Sequence, residues 1–392
     1  MSIFEELYDR KNTRSVKWDM LQAMFQSEDV LPMWVADMDF KAPEAVNEAL
    51  IKRAQHGIYG YTIIDETVSG SIVNWLEKRH NWKIDPAWLS YSNGVVTSLH
   101  IAVQAFTEPQ DKILIQTPVY PPFYNVIEAH DREVIKNPLV NKDNYYTIDF
   151  ADFENKLKLG VKAFILCSPH NPVGRVWRQD ELEEMARLCL KYDVMILSDE
   201  IHADLVFPGQ KHIPIASLSE EVANHTITCM APSKTFNLAG LDASYVITTN
   251  TENRKKLDAS FNKQGFHNQL NTMGNTAMEA AYTHGEPWLE ELNSLLESHT
   301  NYVTEMFDQH IPELKVVKTE GTYLLWIDCS ALNMDSKSLN KFMIEEAKVG
   351  LNTGASYGEA GEQFMRMNIA CPRATLEEGV KRIIGAVQTL TK

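Results

Sequence analysis

Downstream of about residue 63, short apolar, β-branched runs alternate with amphipathic segments of helical length. The runs Trp88–Ser92, Lys112–Gln116, Arg132–Ile135, Lys162–Cys167, Val194–Ser198, His225–Met230 and Ser244–Thr249 read as strands. Helical patterns lie between several of them, at Val68–His80, opened by the stretch Asn93–His100 and running to about Phe106, and at Gln179–Lys191 with Asp180 near its start. Strands alternating with helices predict an α/β fold, a doubly wound and mostly parallel sheet. The stretch from Asn250 to about Thr283 reads as helix with no strand inside it, and a long helix from about Pro287 to Gln309 leads into a second region. There, Leu314–Lys318, Tyr323–Asp328 and Phe364–Ile369 read as strands with helices between them, a smaller α+β domain. Upstream, residues 1–45 form an extended arm with little periodicity, followed by a helix that starts near Ala42-Pro43 with proline at an early helical position. The expected organisation is an arm over 1–45 packing with the small domain, a large domain over 46–285 and a small C-terminal domain over 286–392.

Composition narrows the function classes. A chain of 392 residues, 44% hydrophobic, can bury large cores and is long enough for two domains. Its net charge of -16, from 37 Lys+Arg against 53 Asp+Glu, argues against nucleic acid or an anionic membrane surface as a partner. No apolar run reaches the length of a membrane helix, and the N-terminus lacks the basic-then-apolar pattern of a signal peptide. The five cysteines are scattered with no Cys-x-x-Cys, the usage of reduced thiols in a cytoplasmic protein. No metal-ligand spacing stands out, so no metal is expected.

Candidate chemistry gathers at the ends of strands. Lys234 stands just past the run His225–Met230, with Ser233 and Thr235 on either side and Gly240 expected to turn the backbone nearby. Three other strands give way to Asn93-Gly94, to Ser168–Gly174 with Asn171 inside it, and to Asp199-Glu200. In a parallel sheet these ends share one edge, the place where open α/β sheets bind ligands. A glycine-opened helix N-terminus offers backbone N–H groups to a phosphate, a lysine can condense with an aldehyde, and an acid can keep a ring nitrogen protonated. Aldehyde, phosphate and basic ring nitrogen together describe pyridoxal 5′-phosphate. Two further features carry competing readings. Asp37 and Asp39 lie in the apolar stretch Leu31–Phe40 and need partners if buried, or else cap the turn before the next helix. Tyr59 and Tyr61, in the glycine-punctuated segment Gly57–Thr62, suit simple packing as well as a site.

Asn171-Pro-x-Gly174, Asp199 28 residues beyond Asn171, and Ser233-Lys234 with the lysine 35 residues beyond Asp199 resemble the signature of fold-type I pyridoxal-phosphate enzymes, the aspartate-aminotransferase-like group. The resemblance runs from Trp34 to Arg373. Within the group the chain is most similar to the cystathionine β-lyase branch of MalY/PatB type. The stretches that carry this are Trp34–Phe40, Gly60-Tyr61, Asn93–Val96, Pro118–Phe123, Asp199–His202 and Lys234–Gly240.

This resemblance implies roles. Lys234 would hold the cofactor and later move the Cα proton of the substrate; Asp199 would pair with the ring nitrogen and Asn171 with the ring oxygen. His202 would lie near that oxygen, its alternative being a buried histidine satisfied by a backbone carbonyl. Tyr120 would stack on the ring and assist proton transfers. The backbone N–H groups of Val95 and Val96 and the Ser233 hydroxyl would bind phosphate, and Tyr61 would reach the phosphate of a neighbouring subunit in a homodimer with shared active sites. Arg366 would fork onto the substrate carboxylate, with Ala36 and Asp37 of the arm also at the substrate. The position eight residues after Lys234, where many members of the group have a phosphate-binding arginine, is Asp242. The reaction so implied is α,β-elimination from L-cystathionine or a related S-substituted cysteine to a thiol, pyruvate and ammonia. An aminotransferase on the same scaffold, and a regulatory protein acting through a protein partner, are the alternatives.

Overall fold

A computed structural model describes residues 3–390. Its largest sheet has seven strands in the spatial order Leu89–Ser92, Ser244–Ile247, Thr226–Met230, Met195–Asp199, Val161–Cys167, Lys112–Thr117 and Glu133–Pro138. Only Ser244–Ile247 runs against its neighbours, so the other six point their C-terminal ends to one edge. The central strands are buried almost throughout, as in Thr226–Met230 where all five residues are inside. Both faces are covered by helices, the arrangement that turns strand sequences into unbroken apolar runs. Val95–Phe106 packs against several of these strands, and Gln179–Lys191 covers the far side.

The second sheet is antiparallel, in the order Lys315–Val316, Leu324–Asp328, Phe364–Asn368 and Asn352–Thr353. The long helix Glu286–His310 packs on Arg373–Leu390 beside it. The arm joins this region by its backbone: Leu31–Pro32 pairs parallel with Val349–Gly350, where the Phe25 ring lies 2.7 Å from where a Cβ on Gly350 would stand.

Three expectations need correction. The arm is not simply extended, since Val16–Asp19 and Leu21–Phe25 are short helices too brief to show a period. The stretch after Asn250 is two helices, Thr251–Lys263 and Thr272–His284, separated where Gly265 and Asn268 take positive φ. The turn after Lys234 is made by Asn237 and Asp242 in the left-handed region, whereas Gly240 has ordinary backbone angles.

Candidate active site

Four strand ends build one cavity of about 220 Å³ on the shared edge. Leu89–Ser92 leads through Asn93 and Gly94 into the helix Val95–Phe106, whose first turn has no side-chain cap and faces the cavity with Val95 and Val96. Val161–Cys167 delivers Asn171, Met195–Asp199 ends on Asp199 itself, and Thr226–Met230 delivers Ser233 and Lys234 on the single turn Pro232–Thr235. Tyr120, His202, Ala36 and Asp242 complete the wall used below.

Each polar group in this wall is held yet incomplete. Asp199 is buried, and its carboxylate accepts, among the described residues, one hydrogen bond, from the Ile201 N–H (3.1 Å). Burial lifts its pKa to about 7, with the neighbouring Glu200 charge adding to the rise against the pull of Lys234. Lys234 donates from Nζ to the Ala36 carbonyl (2.7 Å), an oxygen that also accepts from the Tyr323 hydroxyl (2.9 Å). Burial, and then the Arg366 charge, bring the Lys234 pKa down to about 8. His202 is kept neutral, its pKa driven down to about 3 by burial and by the Lys234 and Arg366 charges, and its Nδ1 has no partner among the described residues. Tyr120 is raised by burial and by the Asp199 charge, so it keeps its phenolic proton.

Arg366 lies behind Asn171 on the strand Phe364–Asn368 and is buried. Among the described residues its guanidinium donates only to neutral acceptors: Asn171 Oδ1 (3.3 Å), Trp34 O (2.8 Å) and Asn352 Oδ1 (2.7 Å). Its Nε has no hydrogen-bond partner among the described residues. A buried cation without an anion is costly unless something anionic completes it. The residues present therefore fit a cofactor with a basic ring nitrogen for Asp199, a ring oxygen near Asn171 and His202, an aldehyde for Lys234 and a phosphate for the uncapped helix turn, together with a substrate carboxylate for Arg366.

The class I and II aminotransferase family model matches residues 28–383. The chain belongs to that family. This aminotransferase-family chain is 46% identical over 385 residues to the cystathionine β-lyase PatB of Bacillus subtilis (strain 168), spanning 98% of this chain and 99% of that protein. It superposes on cystalysin of Treponema denticola, a structure containing pyridoxal 5′-phosphate, with a TM-score of 0.96 at 38% identity, over 99% of each chain. A PLP-bound putative aminotransferase of Clostridium difficile 630 gives the same TM-score at 46% identity, over 98% of this chain and 99% of that one. Within the family the chain falls in the MalY/PatB, cystathionine β-lyase branch.

In this family member, three residues picked out in the sequence stand apart from the cavity wall: Arg366, behind Asn171 as described, Tyr61 and Asp37. Tyr61 is fully exposed, in a loop that also exposes Ile58, Tyr59 and Ile63. The Asp37 carboxylate turns toward Arg10 (2.7 Å) and Lys17 (3.8 Å), and not into the cavity. Asp39 beside it is buried and does have the partners its burial requires: Lys17 Nζ (2.7 Å), Arg10 Nη1 (2.7 Å) and Trp18 Nε1 (2.9 Å). Asp242 lines the cavity near the uncapped helix turn, so the group there is an acid. Asn237 went unassigned although it lies in the Lys234–Gly240 stretch. Its amide accepts from Met38 N (3.0 Å) and donates to Met38 O (3.0 Å) and Phe40 O (2.9 Å), which pins the arm to the lysine loop. Tyr323 was missed because a tyrosine at a strand start has no sequence signature of its own.

Proposed function

We propose that the protein is a pyridoxal 5′-phosphate-dependent carbon–sulfur β-lyase acting on L-cystathionine or a related S-substituted cysteine, which it converts to a thiol, pyruvate and ammonia. When bound, the cofactor supplies an electron sink for negative charge developing at the substrate Cα. The observation that carries the reading is the pairing, in one cavity, of a buried acid that makes no ion pair among the described residues with a lysine whose pKa is lowered to about 8.

The chain's own residues then have these tasks. Lys234, close to half neutral near pH 8, takes the Cα proton at Nζ and returns it where it is needed. Asp199 accepts a protonated ring nitrogen, which relieves its burial as a lone carboxylate. Asn171 and the neutral His202 hydrogen-bond the ring oxygen. Val95 N–H, Val96 N–H and the Ser233 hydroxyl hold the phosphate. Arg366 forks onto the substrate carboxylate through Nε and a second nitrogen, fixing the Cα–H direction toward Lys234. Ala36 lines the substrate side with its carbonyl, and Tyr120 packs against the ring with its hydroxyl available for proton transfer. Tyr61, exposed in its own chain, serves the cavity of a second copy in a homodimer.

The reading is tested by incubating the purified protein with L-cystathionine and no 2-oxo acid. A yellow protein that releases pyruvate is the expected outcome. Turnover that depends on an added 2-oxo acid favours the aminotransferase reading, which the similarity to the C. difficile putative aminotransferase supports.

A further inference from the structure

Outside the cavity lining, reached through Thr235 and Glu200, the residues that follow Lys234 and Asp199, lies a second set of buried polar and charged groups that the mechanism above does not use. Asp204 is its centre. Its Oδ1 accepts from Trp75 Nε1 (3.1 Å) and meets His80 Nε2 (2.9 Å), and its Oδ2 accepts from the Thr235 hydroxyl (2.9 Å). Arg79 Nε stands 3.8 Å away, and the Asp204 backbone carbonyl is itself held by Asn293 Nδ2 (2.9 Å). The edge of His80 meets His212 at 5.3 Å, and His212 pairs with Glu200 (2.8 Å), the residue after Asp199. Asp204, His80, His212, Glu200 and Thr235 are all buried.

We propose, on the lysine-linked cofactor reading above, that Asp204 is a positioning residue for Lys234, acting through the Thr235 hydroxyl, with Trp75 and His80 holding the carboxylate in place. Thr235 follows Lys234 directly, on a turn of four residues that has no side-chain N-cap. So short a turn does not stabilise itself, because nucleating a helix costs more than one turn returns. Its direction must be set from outside. Asn237 ties the following residues to the arm, and Asp204 ties the turn itself to the helix Glu66–His80, which carries both Trp75 and His80. Burial works against the Asp204 charge, yet the hydrogen bond and charge of His80, then Arg79 and Thr235, hold its pKa below the ordinary carboxylate value. The acceptor is thus an anion, and its bond to a neutral hydroxyl is of the strong, charge-assisted kind. A lysine that must reach the cofactor aldehyde and later the Cα proton from one backbone position gains from this anchor, since misplacement by about 1 Å can cost about a hundredfold in rate.

Thr235→Val keeps the shape of the side chain and removes the donor; Thr235→Ser keeps the donor. Wild type and both variants are stripped of cofactor and reloaded with pyridoxal phosphate, following the visible cofactor band and borohydride fixation at Lys234, and kcat and KM for cystathionine are then compared. The expected result is a Thr235→Val protein that loads more slowly and loses about ten- to a hundredfold in kcat, with KM within about twofold, while Thr235→Ser stays within about twofold of wild type. Asp204→Asn, which keeps the shape and removes the charge, is expected to fall with Thr235→Val. Normal loading and turnover by Thr235→Val, or equal impairment of Thr235→Val and Thr235→Ser, overturns the proposal. Should the wild type load cofactor but release no pyruvate, the lyase reading falls, while slow loading by Thr235→Val and normal loading by Thr235→Ser still support the anchor. A wild type in which borohydride fixes nothing at Lys234 overturns both.

Discussion

Two buried aspartates, Asp39 in the arm and Asp199 at the strand end, have the same side chain and opposite surroundings. Asp39 is surrounded by Lys17, Arg10 and Trp18, and although burial alone raises its pKa, the Lys17 charge and the three donors outweigh burial and hold it low. Among the described residues the Asp199 carboxylate has one backbone donor and no cation within bonding distance, and its pKa rises to about 7. The first carboxylate is finished by the chain and fastens the arm. The second is left unfinished, and so is Arg366, whose partners are all neutral. A charge completed within the fold serves the fold; a charge left bare in a cavity serves whatever enters it.

The comparison breaks most readily at the amine. If Lys234 is the reacting group while Lys17 is only a counter-ion, Lys234→Ala should lower pyruvate release by about a thousandfold or more, with an unchanged far-UV circular dichroism spectrum. Next in size, Asp39→Ala leaves the buried Lys17 without its close anion, with only Asp37 at 3.8 Å, and should destabilise the protein by about 3 kcal/mol in denaturant titration. Asp199→Asn should act with the opposite sign on cofactor-free protein, stabilising it by about 1–3 kcal/mol at pH 8. The pH dependence follows from the two directions. Asp199 has a folded pKa above its unfolded value of about 4, so its penalty is absent below about pH 4, grows as pH rises to about 7 and is complete above that. Asp39 has a depressed pKa, so its contribution is complete above the unfolded value and is lost as pH falls below it. The stability gain of Asp199→Asn should therefore vanish at pH 4, where that of the wild type is no longer penalised. The smallest effect belongs to the exposed Asp242: Asp242→Asn removes a negative charge from the phosphate end and should tighten pyridoxal-phosphate binding by about two- to fivefold, read from cofactor titration of the stripped protein.

Much of this was legible in the chain. The seven strand runs were readable because a sheet covered on both faces demands continuous apolar sequence, and all seven lie in one sheet within a few residues of the expected bounds. The convergence of Lys234, Asp199, Asn171 and the Val95-Val96 turn followed from strand ends sharing an edge, and these residues do line one cavity. The arm was harder. Its helices are of four and five residues, shorter than any periodic signal, and its strand of two residues exists only by pairing with Val349–Gly350. Asp37 was placed with the substrate on the strength of its motif, whereas its carboxylate turns to Arg10 and Lys17, residues whose approach nothing local announces.

The amino-acid sequence by itself determined the alternation of strands and helices, and with it the edge on which the reacting groups stand, because periodicity and chain direction are properties of neighbouring residues. It determined the chemistry on offer there too, since an amine, an acid and an uncapped glycine-led helix turn are written in the residue types. Only the tertiary structure decided which charges were already matched. Whether Asp39 meets Lys17, Asp204 meets Thr235 and His80, or Asp199 stops short of a cation depends on side chains brought together from distant parts of the chain, and electrostatic free energy is set by those distances and by the water excluded between them.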